Sequence, residues 1–404
     1  MQRIDADLLI PGRGEPVKDA AVVMDGAVIS YAGSAAGAPD APVVARAATV
    51  MPGLWDCHAH FVGVRSLDLA LIPQLPMALR AARATADLRA ALDAGVTSVR
   101  EVGGLGIHLA KAVAEGTVDG PAIYSAGAIL STTGGHGDLH GYPLSWVHEL
   151  EEFRLADGPA ECAKAVREQL RRDARVIKVC ASGGVLSEVD HPIHQQFTLA
   201  ELKAIVEVAG MAERVVAAHC HGKPGIMAAL AAGVRTIEHG TYLDEEAAEA
   251  MRECGAILVP TRTIVREITD HAAAPPFAMA KMEVIADRHA ASVALAREAG
   301  VTVAMGTDLA VSGSGRPASW GRNGRELPLL VESGFTPLEA IEAATATAPA
   351  TLGPQAPRSG LLNPGYDADV ITVDGDPLVD ITLLADPARI TGVWRSGRCM
   401  KGPM

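Results

Sequence analysis

The chain has 404 residues, 49% hydrophobic and 21% charged, which excludes a disordered polypeptide and supplies enough apolar side chain for a sizeable core. Its 35 Lys and Arg stand against 48 Asp and Glu, a net charge of −13 that argues against nucleic acid or an anionic membrane as partner, and 3% aromatic residues make no base-stacking platform. No apolar run reaches the roughly 18 residues of a membrane-spanning helix, and the start Met-Gln-Arg-Ile-Asp carries no leader pattern. With six scattered cysteines and no CxxC pair, a cytoplasmic protein with free thiols is expected.

Residues 1–50 alternate short apolar runs (8–10, 20–24, 27–31) with turn signals, among them Pro11-Gly12-Arg13-Gly14 and Asp25-Gly26. Asp-Gly between two apolar runs predicts a hairpin. Residues 355–404 have the same texture, with apolar runs at 368–373 and 390–394 and turns at Asp374-Gly375 and Ser396-Gly397. Neither end is long enough to fold alone. The reading is therefore two half-domains, 1–50 and 355–404, pairing into one small β domain beside a central domain over 51–354.

The central segment repeats one joint. A helical pattern ends in Ala94-Gly95, Ala232-Gly233, Cys254-Gly255 or Ala299-Gly300, and a short, mostly apolar strand follows. Glycine just past a helix end takes the left-handed conformation cheaply, and a short β-branched run after it reads as a buried parallel strand. Four such joints predict a closed (β/α)8 barrel. The active site of such a barrel lies at the carboxyl ends of its strands, which here read Arg100-Glu101, Glu238-His239-Gly240, Pro260-Thr261-Arg262 and Gly306-Thr307-Asp308.

Histidines mark several of these ends. In Asp56-Cys57-His58-Ala59-His60 the two histidines are two residues apart and share a face of the strand, the spacing of a metal-ligand pair or of two unrelated surface residues. Lys178 sits inside the β-branched run 176–179; it is an ion-paired or snorkelling lysine, or a modified one, since CO2 can add to its neutral amine. The run 215–221 ends in His219-Cys220-His221, and Glu238-His239 and Thr307-Asp308 end two more. Five histidines, one lysine and one aspartate, nearly all at strand ends, predict a metal site at the mouth of the barrel.

This series resembles the amidohydrolase superfamily in its two-metal, carboxylated-lysine form, along essentially the whole chain. The stretch Gly365-Tyr366-Asp367-Ala368-Asp369-Val370 is similar to that superfamily's return strand into its β-sandwich. The resemblance implies an α/β (β/α)8 barrel with a β-sandwich domain formed by both chain ends. It implies that His58, His60 and Asp308 hold one divalent ion, that His219 and His239 hold a second, and that Lys178 bridges them as a carbamate. Zinc is the expected metal, although manganese, cobalt and iron suit the same ligands. The implied reaction is attack of a metal-bridging hydroxide on a polarised carbonyl, with Asp308 carrying the proton to the leaving amine. His136, in the loop Gly134-Gly135-His136-Gly137, is implied as a donor to the oxyanion, and His140 and His221 as substrate contacts.

Within the superfamily the chain resembles the branch of imidazolonepropionase-related amidohydrolases, Xaa-Pro and Xaa-Arg dipeptidases and ochratoxin-type N-acyl amino acid hydrolases. Lys178 turns the expectation toward the peptidase-like members, because single-metal relatives lack that lysine. The expected activity is hydrolysis of an amide bond next to a C-terminal amino acid. Hydrolysis of cyclic amides, lactones or carbamates on the same site is the alternative, and a catalytically inactive scaffold is the alternative of another class. A substrate carboxylate calls for a cation, Arg262 first, with Arg316, Arg322 and Arg325 around the Gly-rich stretch 312–315 as others. Residues 61–80 and that stretch are expected to shape an apolar pocket. The expected partners are a small-molecule substrate and further copies of the chain in a homo-oligomer.

Overall fold

The computed structural model describes residues 1–402. Both chain ends enter a single seven-stranded sheet. Gln2–Leu9, Val17–Asp25, Val28–Ser34 and Val43–Pro52 come from the start of the chain, and Val370–Val373, Ile390–Arg395 and Arg398–Lys401 from its end. The expected hairpin closes at Asp25↔Val28 around Gly26. The ends join where Val370–Val373 runs antiparallel to Val43–Pro52, with Val370 opposite Pro52 and Thr372 opposite Val50. Alternating apolar residues of both ends, among them Ile4, Val22, Met24, Val50, Val370 and Trp394, bury one face of this sheet.

Only Gly53 separates this sheet from the barrel. Its N–H donates to Asp369 O at 2.9 Å, and a Cβ on it would lie 2.2 Å from Thr97 Oγ1, so the strands approach too closely there for any side chain. Eight parallel strands then follow: Leu54–Val64, Val96–Glu101, Ala122–Ser125 resumed at Ile129–Ser131, Ile177–Cys180, Val216–Cys220, Thr236–His239, Ile257–Val259 and Thr302–Val303. Arg175 N to Ser125 O (2.8 Å) and the pairing of Lys178 with Ile129 join the third strand to the fourth. Cys57 N to Met305 O (2.9 Å) and Asp308 N to His58 O (2.6 Å) close the eighth onto the first.

The four expected joints end the helices Met77–Asp93, Lys223–Ala232, Glu245–Cys254 and Pro276–Glu298. The glycines after them, Gly95, Gly233, Gly255 and Gly300, all have φ between +66° and +91°. Four of the six cysteines (Cys57, Cys162, Cys180 and Cys220) are buried and none is bonded to another. Among the described residues no helix is long and apolar enough to cross a membrane.

The two chain ends meet a second time at their turns. Gly397 (φ +73°) would place a Cβ 1.8 Å from Gly26 O. Gly397→Ala is expected to cost about 2 kcal/mol or more, through both the clash and the positive φ. Thermal unfolding checks this; a variant that melts with the wild type would mean that the two turns do not pack.

Candidate active site

The first strand brings His58 and His60 to one face, with ring centroids 5.4 Å apart. His58 Nδ1 donates to Glu238 Oε2 at 2.7 Å, and His60 Nδ1 donates to Gly103 O at 2.7 Å. A carboxylate and a carbonyl only accept, so each ring carries a proton on Nδ1 and turns its Nε2 to the site. The two Nε2 atoms converge on Asp308 Oδ1, at 3.5 Å from His58 and 3.1 Å from His60. Lys178 Nζ comes within 3.3 Å of His58 Nε2.

Strands five and six supply three more imidazoles. His219 Nε2 donates to Gly183 O at 3.0 Å, which frees its Nδ1, and His221 Nδ1 and His239 Nδ1 each lie 2.7 Å from a hydroxyl, Thr241 Oγ1 and Thr261 Oγ1. His219, His221 and His239 can place one ligand atom each within 4.8 Å of one another, and so can His58, His239 and Asp308. His221, expected as a substrate contact, therefore stands with the grouped nitrogens. Imidazole nitrogens with a carboxylate are a donor set that suits divalent zinc, manganese, cobalt or iron.

Burial sets the charges. It lowers the pKa of His58 to about 4 and of His221 to about 3, and it pushes those of His219 and His239 well below the usual value, so these rings are neutral, as ligands must be. Burial would raise Asp308, but the neighbouring His58, His60 and Lys178 outweigh it and hold the carboxyl at about 2. Burial lowers Lys178, the direction that favours its neutral amine. Beneath the histidines, Arg100 is bonded through Nη2 to both oxygens of Glu238 at 2.8 Å, through Nε to Cys57 O at 2.6 Å and through Nη1 to Thr236 Oγ1 at 2.9 Å; Arg100 and Glu238 are fully buried.

Three strand exits are in the left-handed region: His239 (φ +68°), Thr261 (φ +54°) and Asp308 (φ +61°). Strict alternation would send Glu238 and His239 to opposite faces. The positive φ at His239 lets both face the axis, a strained geometry of the kind that collects at functional sites. Asp308 is held the same way: the preceding Thr307 is bonded through its N–H (3.1 Å) and Oγ1 (2.5 Å) to buried Asp56, which also accepts from Asn323 Nδ2 at 2.7 Å.

The cavity over these groups has two apolar lobes. One is lined by Val62, Leu67, Leu69, Ile72, Ile129 and Phe153, the other by Val185, Ile264, Val265, Ile268 and Met282; His136, His219, His239 and Asp308 border both. Part of the 61–80 segment thus lines the cavity as expected, whereas 312–315 does not border it: Ser312 Oγ is bonded to Asp87. His136 stacks on His219 at 4.3 Å. His140 accepts the Val189 N–H on Nδ1 at 3.2 Å, and its Nε2 is buried without a partner among the described residues. Arg262 stands behind the cavity: its Nη1 is 3.3 Å from His289 Nδ1, and its buried Nε has no partner among the described residues. Arg322 and Arg325 are both paired with Glu267, and Arg316 is exposed. Sequence reasoning quoted Glu238 and Arg100 at strand ends without giving them a role, and it missed Gly103, Gly183, Thr241, Thr261 and His289 as partners that orient the site. Only Glu238 had a signal, a carboxylate next to a strand-end histidine.

A model of the amidohydrolase family matches residues 49–400. The ochratoxinase of Aspergillus niger is 43% identical over an alignment of 427 positions, covering 99% of this chain and 86% of that protein. The crystal structure of A. niger ochratoxinase superimposes with a TM-score of 0.92 at 42% identity over 99% of this chain and 95% of that one. A prolidase complexed with N-methylphosphonate-L-proline superimposes at 0.90 with 34% identity over 99% of both chains. A Xaa-Pro dipeptidase with bound methionine superimposes at 0.87 with 31% identity over 99% of this chain and all of that one.

Glu238→Leu strands the Arg100 charge in the barrel and is expected to cost about 3–5 kcal/mol. The double variant Arg100→Met, Glu238→Leu removes both charges and should recover most of that loss. Chemical denaturation of the three proteins measures the difference; a double variant no more stable than Glu238→Leu would contradict the assignment.

Proposed function

The chain belongs to the amidohydrolase family, and on that premise we propose that it hydrolyses the amide bond of a peptide or N-acyl amino acid next to a C-terminal amino acid. One observation carries the reading: His58, His60, His219 and His239, each anchored through one nitrogen, gather with the buried Lys178 and the half-buried Asp308 around one cavity with two apolar lobes. His58, His60 and Asp308 would hold one divalent cation, His219 and His239 a second, with His221 beside them. Such cations, when bound, supply a Lewis acid for the scissile carbonyl and ease the deprotonation of water. Addition of CO2 to the neutral Lys178 amine, with loss of one proton, gives a carbamate whose two oxygens could reach both positions.

The protein's own groups do the rest. Asp308 Oδ1 faces the Nε2 atoms of both first-strand histidines, where it can take a proton from the attacking water and return it to the leaving nitrogen. The two lobes accept apolar groups on either side of the scissile bond. The prolidase relative was crystallised with a ligand built on L-proline, a C-terminal residue.

The test is amino-acid release from dipeptides and N-acyl amino acids, each with a free or an amidated C-terminus, by protein loaded with zinc and bicarbonate. Release confined to the free-carboxylate half is expected. Release from neither half, with two metals per chain measured, would overturn the reading in favour of cyclic amides, lactones or carbamates. Asp308→Asn should lower kcat by about 10²–10⁴-fold with the fold intact by circular dichroism; an unchanged kcat would remove Asp308 from proton transfer.

A further inference from the structure

His136 is anchored differently from His58, His60 and His219. Its Nδ1 lies 2.7 Å from Ser187 Oγ, and a hydroxyl can donate or accept. What Ser187 does is decided one residue further out. Its Oγ is bonded to Asp190 Oδ1, and the Asp190 carboxylate, 6% exposed, is ringed by donors. Asp190 Oδ2 accepts from Gly184 N and Gln196 Nε2, both at 3.0 Å, and Oδ1 lies 3.2 Å from Lys281 Nζ. Lys281 also donates to the carbonyls of Gly184 (3.1 Å), Ser187 (2.5 Å) and Asp190 (2.6 Å), tying this loop to the helix Pro276–Glu298.

A carboxylate surrounded in this way has no proton to give, so the single Ser187 proton is committed to it. Ser187 is left with lone pairs toward His136, and the proton between them must come from the ring. The ring is held from two further directions. Its backbone N–H donates to Gln196 Oε1 at 3.0 Å, and Gly184 lies so close that a Cβ there would fall 2.2 Å from the ring. Its other nitrogen, Nε2, has no hydrogen-bond partner among the described residues, and the ring borders both lobes of the cavity.

We propose that Asp190, acting through Ser187, is a positioning residue that fixes His136 as the Nδ1–H tautomer, so that neutral His136 meets the substrate as a hydrogen-bond acceptor. Its partner is then an N–H of the substrate, the scissile amide or a free amino group, and not the carbonyl oxygen. Donation to an oxyanion, the role implied by sequence resemblance, needs a second proton on the ring. The catalytic consequence rests on the hydrolytic reading above; the tautomer does not.

The experiment is ¹⁵N NMR of histidine-labelled, zinc-loaded protein at neutral pH, with His136→Gln to assign the signal. The wild type should show a protonated Nδ1 and a bare Nε2. In Asp190→Ala the Ser187 hydroxyl is free to donate to the ring, and the tautomer should shift toward Nε2–H; Ser187→Thr keeps the hydroxyl and should keep the wild-type pattern. With a substrate from the panel, Ser187→Ala, Asp190→Ala and their double variant should each lose about 10-fold in kcat with little change in KM, because all three cut the same chain. An Nε2–H ring in the wild type overturns the proposal whatever the variants do, and so does additive loss in the double variant. The Nδ1–H form in a protein that cleaves nothing in the panel would sink the hydrolytic reading and leave the tautomer assignment standing.

Discussion

Arg100 and Glu238 form a fully buried ion pair on the barrel axis, and the site above depends on it. Two charges removed from water are stable only if their remaining hydrogen-bonding capacity is used. Here Arg100 spends its donors on Glu238, on a hydroxyl and on the Cys57 carbonyl, and Glu238 accepts in addition from His58 and from the Thr236 hydroxyl. The pair thus fixes both the strand that carries His58 and the tautomer of its ring. An apolar pair of the same volume could fill the space, but it would leave the His58 ring without an acceptor.

The same principle repeats around the mouth with weaker partners. His60 and His219 lean on backbone carbonyls, His221 and His239 on threonine hydroxyls, and His136 on a serine. Each ring is tied at one nitrogen and turned inward at the other, so little reorganisation is left for the moment a cation or substrate arrives. Gly103 and Gly183 hold their carbonyls in loops beyond the strand ends, and the loops are fixed in turn by buried polar residues. Glu101 is one of them; it accepts from Ser125 Oγ (2.6 Å) and Gly106 N (3.3 Å) just past the turn that receives His60.

Much of this could be read in the chain. The turn glycines and the β-branched runs behind them mark barrel strands because only glycine takes the left-handed conformation at low cost and only a strand buried on both faces is apolar throughout. The two short β-rich ends announced a shared sheet because neither could bury a core alone. His58 with His60, and His219 with His221, came into view because alternate residues of a strand share a face. The reading was weakest where alternation fails: at His239 the positive φ turns two consecutive side chains to the axis, and a pattern of period two cannot express that. It was also weak for Arg262, placed by sequence at a strand end facing substrate and found behind His289.

The sequence by itself therefore determined the class of fold and the residue types at the strand ends, because these follow from local conformational preference and from side-chain chemistry at fixed spacing, and it pointed to the family by resemblance. Only the tertiary structure decided which nitrogen of each ring is free, that Glu238 serves His58 across 180 residues of chain, and that Ser187, Asp190 and Lys281 converge on His136. The physical reason is that hydrogen-bond direction depends on partners brought together by barrel closure and loop packing, and those partners are distant in sequence and common in type.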